Sequence, residues 1–225
     1  MSGPFKIPAA TYRLQMRREF PLEAANAIIP YLYRLGVSDL YLSPLHTARE
    51  GSVHGYDVLD HARLNPELGD GKALKQFLDE TDACGMGIVL DVVPNHMCIA
   101  GDGNALWMDV LEDGRDSPHA GRFDIDWDPP KPELVGKVLL PFLGEQYGRV
   151  LEGGLSVGFD AGAGRFFVTG EGGRLPLGLE TWRHILEPAL TLLRAREDAE
   201  SPAMIELESI VRALMQTLPP LRQAG

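Results

Sequence analysis

Residues 9–94 of this 225-residue chain predict an α/β protein built on a parallel sheet, for three reasons. Gly87-Ile-Val-Leu-Asp-Val-Val-Pro94 is an almost continuous β-branched, apolar run, which suits a strand covered on both faces, as parallel sheets require. Strand-like and helix-like stretches alternate through the region as strand, helix, strand, helix, strand. Polar residues cluster just after each strand, at the end where parallel barrels carry their functional groups.

Taken in order, residues 9–15 (Ala-Ala-Thr-Tyr-Arg-Leu-Gln) begin with β-formers after Pro8 and predict a first strand. Leu22, Ala25, Ile29, Leu32 and Leu35 fall at helical spacing, with Gly36 placed to end the helix and Pro30 expected either to kink it or to mark the first turn of a second segment. Val37 to Pro44 predicts a second strand. Residues 46–69 read as a polar, glycine-punctuated loop. Asp70 is placed to cap a second helix in which Leu74, Phe77 and Leu78 share a face, closed by Gly85. The third strand is the run 87–93. Beyond His96 the alternation stops. Residues 97–132 read as loop, and 134–170 as short hairpins at Val138-Leu-Leu, Val150-Leu-Glu, Leu155-Ser-Val and Phe166-Phe-Val. Two amphipathic helices are expected at about 179–196 and 202–217. The organisation predicted is three β/α units over 1–96, an inserted irregular β subdomain over 97–178, and a helical segment over 179–225.

Composition narrows the function. With 21 Lys and Arg against 32 Asp and Glu, the net charge is −11, which disfavours a nucleic-acid partner and leaves neutral ligands open. No apolar stretch approaches the ~18 residues a membrane span needs, and the N-terminus lacks a signal-peptide core, so a cytoplasmic protein is expected. Cys84 and Cys98 form neither a disulfide framework nor a Cys-x-x-Cys zinc pair, and read as ordinary buried thiols.

Three strand exits carry candidate site residues: Arg13 and Gln15 after the first, His54-Gly-Tyr-Asp57 in the loop after the second, and Asp91 with Asn95 and His96 at the third. A carboxylate inside an apolar strand is costly unless paired, so Asp91 needs a specific partner and is expected beneath a polar site. Trp107, Trp127 and Trp182 read as packing residues. Asp124, Asp126 and Asp128 alternate as calcium ligands sometimes do, but Trp127 and the following prolines favour a solvated loop.

Asp-Val-Val-Pro-Asn-His at 91–96 is similar to the first conserved region of the α-amylase superfamily, and Gly55-Tyr56-Asp57 resembles the loop that faces it. Within that superfamily the chain looks most like the maltooligosyltrehalose synthases. The likeness runs through Ala-Thr-Tyr-Arg-Leu-Gln (10–15), Tyr41-Leu-Ser-Pro-Leu, Gly51-Ser-Val-His-Gly-Tyr-Asp and Asn65-Pro-Glu-Leu-Gly69. It continues through Phe123-Asp-Ile-Asp-Trp-Asp-Pro-Pro130 and Gly136-Lys-Val-Leu-Leu-Pro141. The resemblance implies the N-terminal part of a (β/α)8 TIM barrel, about three strands of it. It also implies that Tyr56 stacks on a sugar which His96 contacts, while Asp57 holds a neighbouring Arg. His54 is left open between a sugar contact and a loop residue. Asp57, Asp91, Asn95, Arg13 and Gln15 would support the site.

The activity implied is intramolecular transglycosylation. The reducing-end α-1,4 linkage of a maltooligosaccharide becomes an α,α-1,1 linkage, by a retaining mechanism with two carboxyl groups. A rival within the superfamily is an α-glucan hydrolase; a rival from another class is a non-catalytic remnant that binds glucan weakly. The family's nucleophile lies in a Gly-Leu-Arg-Ile-Asp-like run after a fourth strand, and no such run occurs here, so the catalytic carboxylates are expected beyond residue 225. No metal and no cofactor is expected. A functional pairing with a trehalose-releasing hydrolase is a further expectation from the family.

Overall fold

The structure is a computed structural model that describes residues 7–140, 143–195 and 201–217. Pro141, which ends the 136–141 run, residue 196, which ends the helix expected at 179–196, and residues 197–200 and 218–225 of the helical segment expected over 179–225 lie outside those described. The chain forms two compact units, divided between Ile99 and Ala100.

In the first unit three strands, β1 (Thr11–Leu14), β2 (Asp39–Leu42) and a later strand Gly87–Leu90, lie parallel in the order first, second, third. Thr11 pairs with Asp39 and Asp39 with Gly87, so the strands are in step. Leu40 and Leu42 turn one face into a core shared with Leu14, Leu22, Ala25, Ile29, Leu32 and Phe77. The other face carries Arg13, Tyr41 and Val89 side by side.

Helix α1 (Leu22–Leu35) buries Leu22, Ala25, Ile29 and Leu32, as their spacing predicts, leaves Leu35 of the same predicted series exposed at its C-terminal end, and runs unbroken through Pro30. Its end is a Schellman closure: Gly36, at φ 93°, donates to Tyr33 O (3.0 Å), and Val37 N–H reaches Leu32 O (3.1 Å). Helix α2 (Gly71–Ala83) is capped by Asp70, whose Oδ1 accepts from Ala73 N–H at 2.8 Å. Phe77 is fully buried there, whereas Leu78 is exposed and does not share its face.

The stretch 46–69, expected as plain loop, holds an antiparallel hairpin, β3 (His46–Ala48) with β4 (Val58–Leu64). The Gly87–Leu90 strand is therefore β5. It ends one residue before Asp91, which lies at the exit and not within the strand.

The second unit departs further from expectation. Residues 97–132 contain helix α3 (Ala105–Asp113), capped by Asn104 Oδ1 accepting from Trp107 N–H at 3.1 Å. Trp107 and Val110 are buried, and Trp107 packs on Phe123 at 4.9 Å between ring centroids. Val150 belongs to a short helix, α4 (Tyr147–Leu151), not a strand, and Val138-Leu-Leu forms no strand. The remaining hairpins are present as an antiparallel sheet of β6 (Ser156–Asp160), β7 (Arg165–Gly170) and β8 (Gly173–Pro176). Trp182 donates from its indole N–H to Leu177 O at 3.0 Å and meets Phe166 edge-on. Helices α5 (Arg183–Arg194) and α6 (Pro202–Thr217) pack through Leu190, Met204 and Val211, with Arg194 paired to Glu208 at 2.7 Å. No described helix is long and apolar enough to cross a membrane.

Candidate functional site

The three strand exits converge. Arg13, on β1, stands opposite Tyr41 in the sheet register, and its guanidinium lies over the Tyr41 ring at 4.4 Å. Asp91 follows β5 on the same face. Arg13 donates to Asp91 Oδ2 at 3.3 Å and to the Tyr56 hydroxyl at 2.8 Å. The Tyr56 hydroxyl donates to Asp91 Oδ2 at 2.5 Å, and the Tyr41 hydroxyl approaches the same oxygen at 3.3 Å. Three side chains, from two strands and one loop, thus share a single carboxylate at the exit of the third strand.

That sharing sets the protonation. The hydrogen bond from Tyr56, then those from Arg13 and Tyr41, hold the Asp91 carboxyl below its ordinary range against the opposing effect of burial. The same bond to Asp91 raises the Tyr56 hydroxyl above its ordinary value. Asp91 is 18% exposed at its side chain, so it sits half-buried within the network rather than buried beneath it.

The loop 49–57 is braced from several sides. Gln15, just past β1, donates to His54 O at 3.2 Å and Val53 O at 3.4 Å. The Asp57 carboxylate accepts from Ser52 Oγ and pairs with Arg49 at 3.5 Å. Gly55 takes φ 77° as the loop folds back on β2, and a Cβ there would sit 3.0 Å from Pro44 O. His54 Nδ1 accepts from Tyr56 N–H at 3.0 Å, which leaves the ring proton on Nε2, and the two rings stack at 5.9 Å.

Asn95 and His96 are both exposed and lie beside Tyr56. His96 Nε2 donates to Tyr56 O at 3.2 Å, and its Nδ1 faces Asn95 Oδ1 at 3.1 Å. Every residue expected at the site is therefore brought to one rim of the sheet. Tyr41 and Ser52 were missed; cross-strand register identifies the first, and no sequence signal identifies the second.

Away from the site, Asp126 accepts from Asp128 N–H and Asp128 pairs with Arg115 at 2.8 Å, so these carboxylates serve local turns. No group of three His, Cys, Asp or Glu residues among those described is arranged to hold a metal ion. Cys84 and Cys98 are half-buried and form no disulfide among the described residues.

Comparison with known proteins gives a consistent set. The family model "Alpha amylase, catalytic domain" matches residues 25–132. A Mycobacterium tuberculosis (strain CDC 1551 / Oshkosh) protein with the provisional name maltooligosyl trehalose synthase is 44% identical over 142 residues, 60% of this chain and 18% of that protein. Alpha-amylase SusG of Bacteroides thetaiotaomicron is 33% identical over 119 residues, 53% of this chain and 16% of that protein. The solved maltooligosyltrehalose synthase from Arthrobacter ramosus superposes with a TM-score of 0.67 at 39% identity, covering 76% of this chain and 21% of that one. The chain spans about a fifth of the length of these relatives, in their N-terminal part. Its fold is the N-terminal part of an amylase-type TIM barrel, with three parallel strands and no closed barrel among the described residues.

Proposed function

Because the chain belongs to the α-amylase superfamily, we propose that it forms one wall of the glucan site of a maltooligosyltrehalose synthase. The observation that carries this reading is the clamp on Tyr56. Arg13 and Asp91 grip its hydroxyl at the rim, so the ring is held in one orientation beside His96. A fixed aromatic face suits the C–H face of a glucose unit, and an adjacent imidazole suits its hydroxyls. His54 offers a further donor through Nε2. Arg13, Gln15, Asp57, Asp91 and Asn95 hold these contacts in place.

The reaction to which this wall contributes is an isomerisation. The anomeric carbon at the reducing-end linkage leaves O4 of the terminal glucose and is captured by the anomeric oxygen of that same glucose. No atom is gained or lost. Retaining chemistry of this kind uses two carboxyl groups about 5–5.5 Å apart. Asp57 and Asp91 are the recognised carboxylates here, and both are engaged, by Ser52 and Arg49 and by Tyr56 and Arg13. The nucleophile and the acid/base therefore belong to other parts of the enzyme, and residues 1–225 alone do not turn over. Residues 1–96 are assigned to the barrel, 97–178 to an inserted subdomain and 179–225 to a helical lead. The substrate is a maltooligosaccharide, the setting cytoplasmic, and the metabolic partner a trehalose-releasing hydrolase.

The test is titration of the 225-residue chain with maltopentaose, followed by NMR at the Tyr56 ring and His96. Chemical-shift changes at both, abolished by Tyr56→Ala, support the reading. No perturbation at a concentration near ~10 mM, weaker than even a −3 kcal/mol interaction would give, defeats it.

A further inference from the structure

Segment 91–98 carries Asp91, Asn95 and His96, yet it has no regular secondary structure. Its backbone leaves the sheet after Asp91 N–H donates to Leu42 O at 3.0 Å. Beyond that point three hydrogen bonds tie it to the β3–β4 hairpin and its loop. His96 reaches Tyr56 O, Cys98 N–H reaches Val58 O at 2.7 Å, and the His61 ring reaches Val93 O at 2.7 Å. The last comes from a side chain to which the functional reading gives no role. A carbonyl only accepts, so His61 Nε2 carries the proton.

We propose that His61 is a positioning residue of the glucan site. Val93 is the midpoint between Asp91 and Asn95, and its own side chain is buried at 4% exposure. A bond to its carbonyl fixes the turn by which the chain passes from the Asp91 network to the Asn95–His96 pair. His46, on the partner strand of the hairpin, keeps the donor in place. The two rings lie 5.7 Å apart at 53°, and the buried His46 Nδ1 has no hydrogen-bond partner among the described residues, so the contact is one of packing. The hairpin is thus a two-ended brace: its loop presents Tyr56 and its second strand sets the height of His96.

This inference rests on the glucan reading, and its test separates the two. In the full 225-residue chain, His61→Leu removes the donor, while His61→Gln keeps a side-chain N–H of similar reach. Amide hydrogen exchange is followed at Cys98, whose N–H bonds Val58 O, and, as reference, at Leu40 and Leu42; maltopentaose affinity is measured alongside. The expected result for His61→Leu is exchange roughly tenfold faster at Cys98 with the sheet unchanged, affinity roughly tenfold weaker, and recovery of most of both in His61→Gln. Unchanged exchange at Cys98, a uniform rise across the sheet, or no recovery by Gln overturns the proposal. If the unmodified chain binds no maltopentaose, the glucan reading fails, and the exchange data alone decide whether His61 holds the segment.

Discussion

Tyr56→Phe tests the site at its centre, because it keeps the ring and removes only the hydroxyl that joins Arg13 to Asp91. Two hydrogen bonds are lost, at 2.8 and 2.5 Å, and each involves a charged group. Such bonds are worth about 1.5–3 kcal/mol when solvent is excluded. Here the Arg13 and Asp91 side chains are 34% and 18% exposed, so water restores part of the loss, and the direct Arg13–Asp91 contact at 3.3 Å remains. A net cost of about 1–2 kcal/mol follows, which for a chain of this size lowers Tm by about 2–8 °C. The electrostatics give a second, sharper readout. The Tyr56 hydrogen bond is the largest influence depressing the Asp91 carboxyl below 3.8, so its removal moves the Asp91 midpoint upward. The sign for stability follows. A carboxyl with a depressed folded pKa stabilises the fold above its unfolded pKa, and this is lost as pH falls through the folded pKa. The difference between the two proteins is therefore full at pH 7 and closes only in strong acid. Thermal melts at pH 7 and a carboxyl-carbon titration of Asp91 measure both effects. A Tm within about 1 °C of the parent, with an unmoved Asp91 midpoint, would refute the network as described.

Other outcomes follow from particular contacts. Gly87→Ala places a Cβ 1.9 Å from Asp39 Oδ1, beside a carboxylate only 4% exposed, and is expected to cost about 1–3 kcal/mol in urea unfolding with no local effect at Tyr56. Burial, reinforced by His61, lowers the His46 pKa below 6.5, so the unfolded chain takes up the proton first and stability declines as pH falls below that value. His46→Gln is expected to flatten that decline in melts across pH 7 to 5. In a full-length relative, replacement of the residue matching His96 by Ala is expected to lower kcat/KM by a factor set by about 1.5–3 kcal/mol, read by steady-state kinetics on maltopentaose. The 225-residue chain itself is expected to leave the reducing ends of maltopentaose intact. It is also expected to self-associate through the exposed Val89, Leu90 and Val92 at the β5 side of the sheet, checked by light scattering.

Much of the fold was legible where apolar residues run together or recur at a fixed helical spacing. β2 and β5 are short apolar runs with little alternation, and α1 announces itself through Leu22, Ala25, Ile29 and Leu32. The β3–β4 hairpin was not legible because its pairing shifts register at His46/Thr47 and again at Thr47/Ala48, which destroys the period-two signal. Helix α3 has only nine residues between glycine- and aspartate-rich flanks, yet Asn104 before Trp107 and Val110 was a usable cap-and-stripe signal. Helix α4, with five residues including Gly148, is too short to show any period, and Val150-Leu-Glu was read as strand by composition alone.

The site divides along a similar line. That Asp91 needs a partner follows from the cost of an unpaired carboxylate near an apolar strand, and this requires no coordinates. Which partners it has depends on register. Arg13 meets Tyr41 only because β1 and β2 run in step, and Asp91 joins them only because β5 is in step with β2. A one-residue slip of any strand would turn its contribution to the other face and dissolve the cluster. The site is thus a readout of sheet assembly: Tyr56 can be held by Arg13 and Asp91 only when all three strands have paired correctly. A sheet mutation that leaves every site residue in place but shifts β5 by one position should release Tyr56 as completely as removing Asp91 does.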